Sequence, residues 1–104
     1  MEFLNKIELR GIVGRVNATE IGGETAVRFS VATDYSYKHK KVGMVVETTW
    51  HNCTAWSSKC PDAKRLERGS MVHLTGRLRS QKYADANGDE RTITEVLVQS
   101  LEIL

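Results

Sequence analysis

The chain has 104 residues, with 15 Lys and Arg against 13 Asp and Glu and a formal net charge of +2, which is room for one domain and not for two. An apolar share of 40% and a charged share of 27% are ordinary for a globular domain and exclude a disordered chain. So small a net charge excludes bulk basicity as a guide to partners, and any electrostatic signal must lie in how the cations are distributed.

The N-terminus, Met1-Glu2-Phe3-Leu4-Asn5-Lys6, lacks the charged region and apolar stretch of a signal peptide. No apolar run approaches the ~20 residues of a membrane-crossing helix. A soluble, cytoplasmic protein with no membrane partner is expected. Asn5 to Val16 alternates, with Ile7 and Leu9 on one face and Glu8 and Arg10 on the other, as a strand does. Gly11 and Gly14 interrupt it and predict a bulge or bend, the device by which a long strand turns the corner of a small barrel. After a Gly22-Gly23 turn, a second strand puts Val27, Phe29 and Val31 on one face and Arg28 and Ser30 on the other.

Asp34 to Gly43 is polar, basic and aromatic and reads as a loop or projecting hairpin. A third strand runs from about Val45 to Trp56, with Trp50, Asn52, Thr54 and Trp56 on one face and His51, Cys53 and Ala55 on the other. A short helix is predicted from Pro61, with Asp62 in its first turn, Lys64, Arg65 and Arg68 near its end and Gly69 as its cap. With little apolar content beyond Ala63 and Leu66, it reads as the plug of a barrel end. The fourth strand, Met71 to about Tyr83, directs Val72, Leu74 and Leu78 inward and His73, Thr75, Arg77 and Arg79 outward. Asn87-Gly88 marks a tight hairpin. In the fifth strand, Thr92 to Leu104, apolar residues stand on both parities, which predicts cover on both sides. Three strands, a short helix and two more strands is the order of a five-stranded Greek-key OB barrel.

Enzyme motifs are absent: there is no GxSxG, HExxH, P-loop or GxGxxG. Cys53 and Cys60 form no CxxC pair, so neither a zinc site nor a disulfide framework is suggested. His51 and Cys53 share a strand face, but no third group orients them as a nucleophile and base. His51, Cys53 and His73 make no better metal site. A non-enzymatic protein with no metal and no cofactor is expected.

The aromatics carry more information. Trp50 and Trp56 lie on one face with polar residues between them. Tyr35 and Tyr37 stand among Lys38, His39, Lys40 and Lys41, and Tyr83 follows Arg77, Arg79 and Lys82. Aromatic rings beside cations are what unstacked bases need, because the ring stacks on the base and the cation meets the phosphate. Core packing for the tryptophans and a solvated loop for the lysines are the plainer alternatives.

These residues resemble the bacterial single-stranded DNA-binding protein family over nearly its whole DNA-binding domain. The resemblance rests on Asn5-Lys6-Ile7 with Gly11 and Gly14, Phe29-Ser30-Val31-Ala32-Thr33, Thr49-Trp50-His51, Gly69-Ser70, Gly76-Arg77-Leu78-Arg79, Asn87-Gly88 and Thr94-Glu95-Val96. It implies sequence-independent binding of single-stranded DNA during replication, recombination and repair. Bases would stack on Trp50, Trp56, Tyr37 and Tyr83, with phosphates at Lys6, Lys38, Lys40, Arg68, Arg79 and Lys82. His51 would lie at the subunit interface of a homotetramer. Asn52 and Gln81 replace basic residues common in the family, and Ser57-Ser58-Cys60-Pro61 replaces its Gly-Lys entry into the helix. The sequence stops at Leu104 without the acidic tail that recruits replication and repair proteins, so such recruitment is not implied. A dimeric primosomal adaptor acting through protein partners, and an OB module that binds only protein or oligosaccharide, remain as alternatives; stacking alone does not exclude RNA.

Overall fold

In the computed structural model, which describes residues 1–104, five strands close into one barrel. They are β1 (Ile7–Ile21), β2 (Glu24–His39), β3 (Gly43–Trp56), β4 (Met71–Ala84) and β5 (Glu90–Ile103), with a 3₁₀ turn at Pro61–Arg65 between β3 and β4. The order around the barrel is β1-β2-β3-β5-β4, and β4 pairs back onto β1. All pairings are antiparallel except that of β3 with β5, which is parallel and joins only Cys53 to Val96 and Thr54 to Leu97. This is the OB barrel expected from the sequence.

Strand alternation fills the interior with Leu9, Val13, Val27, Phe29, Val31, Cys53, Ala55, Val72, Leu74, Val96 and Val98, and Cys60, Ala63 and Leu66 complete the cluster from the 3₁₀ region. The turn begins at Pro61, as predicted, but does not reach Gly69. Leu66 is already extended, at φ −66° and ψ 139°, and its side chain is buried. Burying that apolar group ends the helix early. Gly69, at φ +93°, instead serves the next turn, where the Ser70 N–H donates to the Glu67 carbonyl.

Two bulges set the phase of the strands. In β1 the register moves from Val13 opposite Val31 to Val16 opposite Phe29, so Gly14 and Arg15 together face Ser30. The Arg15 N–H, displaced from the ladder, donates to Ser30 Oγ at 3.0 Å. Between β4 and β5 the register moves from Thr75 opposite Ser100 to Gly76 opposite Val98, leaving Gln99 unpaired. This second bulge corrects the reading of the fifth strand. Val96 and Val98 face the core before it, and Leu101 and Ile103 pack on the core after it, so a phase change accounts for apolar residues on both parities.

Leu78 also departs from expectation: it is 44% exposed, not inward. β1 pairs with β4 only as far as Ile7 opposite Gly76, so Leu78 lies past the start of β1 although its β5 partner Val96 is in the core. Asn5 takes the place of a strand partner, accepting the Leu78 N–H at 2.9 Å and donating to its carbonyl at 2.7 Å. The Asp34–Gly43 region forms an arm, which is a regular hairpin: β2–β3 pairing continues to His39 opposite Gly43.

Candidate nucleic-acid interface

Trp50 and Trp56 occupy one parity of β3, as the alternation predicts. Trp50 is 59% exposed and Trp56 is half-buried. The indole of Trp50 forms one wall of an open groove of about 1030 Å³, which Gly14, Arg15, Ser30, Asn52 and Arg68 help to line. An exposed indole with two arginines lining the same groove offers room for an unsaturated ring and charge for an anionic group beside it.

Thr54, between the tryptophans, is buried, because a polar network covers it. Its hydroxyl donates to Glu95 Oε2 at 2.7 Å, and Glu95 Oε1 accepts from Arg79 Nε at 2.8 Å. In the amide orientation that satisfies both partners, Gln81 donates to Glu95 and accepts from Arg79, each at 3.2 Å. The carboxylate of Glu95 is thus sequestered while ion-paired, and the Arg79 side chain remains 28% exposed. Arg79 is therefore an oriented cation rather than a loose one. Gln81, where a basic residue was expected, is part of what orients it.

Arg79, Gln81 and Tyr83 share the outer parity of β4, and Thr54–Glu95–Arg79 joins that face to the tryptophan face of β3. Tyr83 is 51% exposed. Lys82 lies 3.3 Å from Glu90, both largely exposed, and Arg91 lies 2.9 Å from Asp85. The hydrogen bond from Arg91 holds the Asp85 carboxyl below its ordinary range.

Tyr37 does not join this face. It pairs with Val45, on the parity that leads along β3 to His51 and Cys53. Where β2 and β3 leave the barrel, that parity opens to solvent, and Tyr37 stands there half-buried beside Tyr35, with ring centroids 6.2 Å apart. Three of the four aromatics named from the sequence thus share a face, and the fourth is on the other side of the arm. Lys6, Lys38, Lys40 and Arg68 are exposed, without an acidic partner within 4 Å. Sequence reasoning missed Arg15, which the bulge turns into the groove. It also gave no role to Arg28, opposite Thr54 on the outer face, although the alternation of β2 placed that side chain outward. Lys59 was likewise missed, and with Arg77, noted from the sequence only as a cation near Tyr83, it lines a cavity of about 300 Å³ beside Trp56.

The residues considered for catalysis are dispersed or inert. Cys53 is buried, and burial with the nearby Glu95 charge pushes its thiol up to about 12, so it is not a thiolate nucleophile at neutral pH. Its Sγ donates to the carbonyl of His51, not to the imidazole. His51 Nε2 lies 2.9 Å from Thr33 Oγ1, and desolvation lowers its pKa. His73 lies on the outer face of β1–β4, 2.6 Å from Glu8, and its hydrogen bond lowers the Glu8 carboxyl. No three His, Cys, Asp or Glu side chains stand close enough to hold a metal ion.

The polar network yields a prediction. Glu95→Ala leaves both Thr54 and Arg79 without their acceptor and is expected to destabilise the barrel by about 2 kcal/mol. Glu95→Gln keeps an acceptor oxygen and is expected to cost about half as much. Urea unfolding of the two variants checks this. Equal midpoints for wild type and Glu95→Ala would rule out the network as a brace.

The model of the "Single-strand binding protein family" matches residues 4–104. The single-stranded DNA-binding proteins of Neisseria meningitidis serogroups A and B are each 34% identical over 104 residues, covering 97% of this chain and 60% of theirs. This chain thus spans about three fifths of the length of those relatives. The single-stranded DNA-binding protein of Bacteroides thetaiotaomicron is 33% identical over 107 residues, covering 97% of this chain and 66% of its own. Among solved structures, the Plasmodium falciparum SSB in complex with ssDNA superposes with a TM-score of 0.85 at 25% identity, covering 100% of this chain and 97% of that one. With a closed OB barrel, an exposed tryptophan face and a family match over nearly its whole length, the chain belongs to the single-strand binding protein family.

Proposed function

We propose that the chain binds single-stranded DNA without reading its sequence, protecting exposed strands in replication, recombination and repair. The carrying observation is the groove at Trp50: an indole 59% exposed on a rigid strand, with Arg15 and Arg68 lining the same groove. An unpaired base offers a π-face to such a ring, whereas bases within a duplex are already stacked on their neighbours. The relatives described above, one solved with ssDNA, support the same ligand.

In this reading Trp50, Trp56 and Tyr83 stack bases along the outer face, and Tyr37 takes a base on the other side of the β2–β3 arm. Lys6, Lys38, Lys40, Arg68, Arg79 and Lys82 meet phosphates, joined by Arg15 and Arg28. Function is non-enzymatic and needs no cofactor, and it takes place in the cytoplasm on nucleoid DNA.

Trp50→Ala is expected to weaken binding of a labelled dT oligonucleotide about tenfold or more, while the unfolding midpoint stays near that of wild type. Arg68→Ala is expected to weaken binding and to reduce the slope of log affinity against log salt by about 0.7. Fluorescence anisotropy over a salt series reads both. Wild-type affinity in a folded Trp50→Ala variant would remove that residue from the site.

Self-association as a homotetramer is the second part of the proposal, with His51 at a subunit contact. The half-buried imidazole and its bond to Thr33 suit a position that becomes fully covered in an assembly. Light scattering is expected to give four times the mass of the chain for wild type and a smaller species for His51→Lys. A monomer in the wild type would contradict the assembly, and an intact His51→Lys tetramer would move the contact elsewhere.

A further inference from the structure

We propose that Gly14 and Ser30 are positioning residues for the stacking reading above: they form the seat on which the Trp50 indole rests. Position 14 is glycine because the indole occupies the space a side chain would need. The backbone does not impose that choice, since Gly14 is not among the glycines of positive φ. A Cβ at position 14 would lie 2.4 Å from Trp50 Cζ3, 2.8 Å from Cη2 and 3.0 Å from Ser30 Oγ. Carbon atoms in contact sit at about 3.5–4.0 Å, so the indole could not stay where it is.

Gly14 differs in this from the other crowded glycines. At Gly11 and Gly76 the nearest atom is a carbonyl oxygen of a facing strand, so those positions serve the packing of barrel walls. At Gly14 the nearest atoms belong to the exposed aromatic ring of the groove. Its seat is fixed from two sides. Ser30 Oγ holds the bulge from β2 by accepting the Arg15 N–H. The segment before β4 holds it from the other side, with the Val13 N–H donating to Ser70 and the Val13 carbonyl accepting from Gly69 at 2.8 Å each. The outer rim of the six-membered ring, at Cζ3 and Cη2, is therefore set against the bulge, and the indole stays 59% exposed for a base. The same bulge turns Arg15 into the groove, so it sets both ring height and flanking charge.

A double-mutant cycle tests the seat in two ways. For affinity, Gly14→Ala is expected to weaken dT-oligonucleotide binding about tenfold, yet change it less than about twofold when added to Trp50→Ala. Equal losses in both backgrounds, or no loss in either, would overturn the proposal. For position, independent of any ligand, Gly14→Ala in a Trp56→Phe background is expected to increase acrylamide quenching of the remaining tryptophan. Trp50→Phe, whose ring is shorter, is expected to restore part of the melting temperature lost to Gly14→Ala. Unchanged quenching, or no thermal rescue by Trp50→Phe, would overturn the seat even if DNA binding were normal. If wild type failed to bind the oligonucleotide, the stacking reading would fall, and the quenching and rescue measurements would still decide whether Gly14 seats the ring.

Discussion

Two residue pairs close the barrel. β3 and β5 meet in parallel at Cys53–Val96 and Thr54–Leu97, and no other pairing joins these strands. So short a contact contributes few ladder hydrogen bonds, and parallel pairing is slightly weaker per residue than antiparallel. Side chains reinforce it on both surfaces. Inside, Cys53 and Val96 are each 2% exposed within the core. Outside, Thr54 donates to Glu95, and Glu95 ties β5 to Arg79 on β4. Closure therefore also arranges the outer face, because the carboxylate that braces the seam orients the cation on the tryptophan side of the barrel. A buried acid would be costly if its charge were free. Its pairing with Arg79 and the hydrogen bond from Thr54 offset that cost.

Once the barrel is closed, period-two alternation decides which side chains reach a ligand. The β2–β3 ladder leaves the barrel wall as an arm, and residues of the inward parity emerge into solvent. Tyr37 and Tyr35 are accessible for that reason and not because they share the tryptophan face. On the β4–β5 hairpin the cations Lys82 and Arg91 meet acidic neighbours, while the lysines of the β2–β3 arm meet none. The near-neutral charge of the chain thus hides an uneven surface, with unpaired cations near Trp50 and on the arm and neutralised ones near Tyr83.

Most of this fold was legible because alternation is a local signal. Val27, Phe29 and Val31 against Arg28, and Val72 and Leu74 against His73, appear in the sequence as they stand in the barrel. What was not legible depends on bulges, which change phase by one residue without changing composition. The extra residue at Gln99 explains why Val98 and Leu101 both belong to the core. The bulge at Gly14 was signalled by glycine, but not its result, Arg15 in the groove. Nothing local in the sequence marks Glu95 as buried; it is the approach of Thr54 and Arg79 that covers it. Trp50, Trp56 and Tyr83 could be grouped from parity and neighbouring charge. The side taken by Tyr37 required the register of the arm, which follows from where its turn falls.

The most direct test of stacking is a tryptophan-fluorescence titration of the wild-type chain with poly(dT) and with duplex DNA of equal length, at low and moderate salt. Stacked bases are expected to quench Trp50 and Trp56 strongly with the single strand and weakly with the duplex, with affinity for the single strand falling as salt rises. Equal quenching by both forms, or none by poly(dT) at low salt, would contradict base stacking at the tryptophan face.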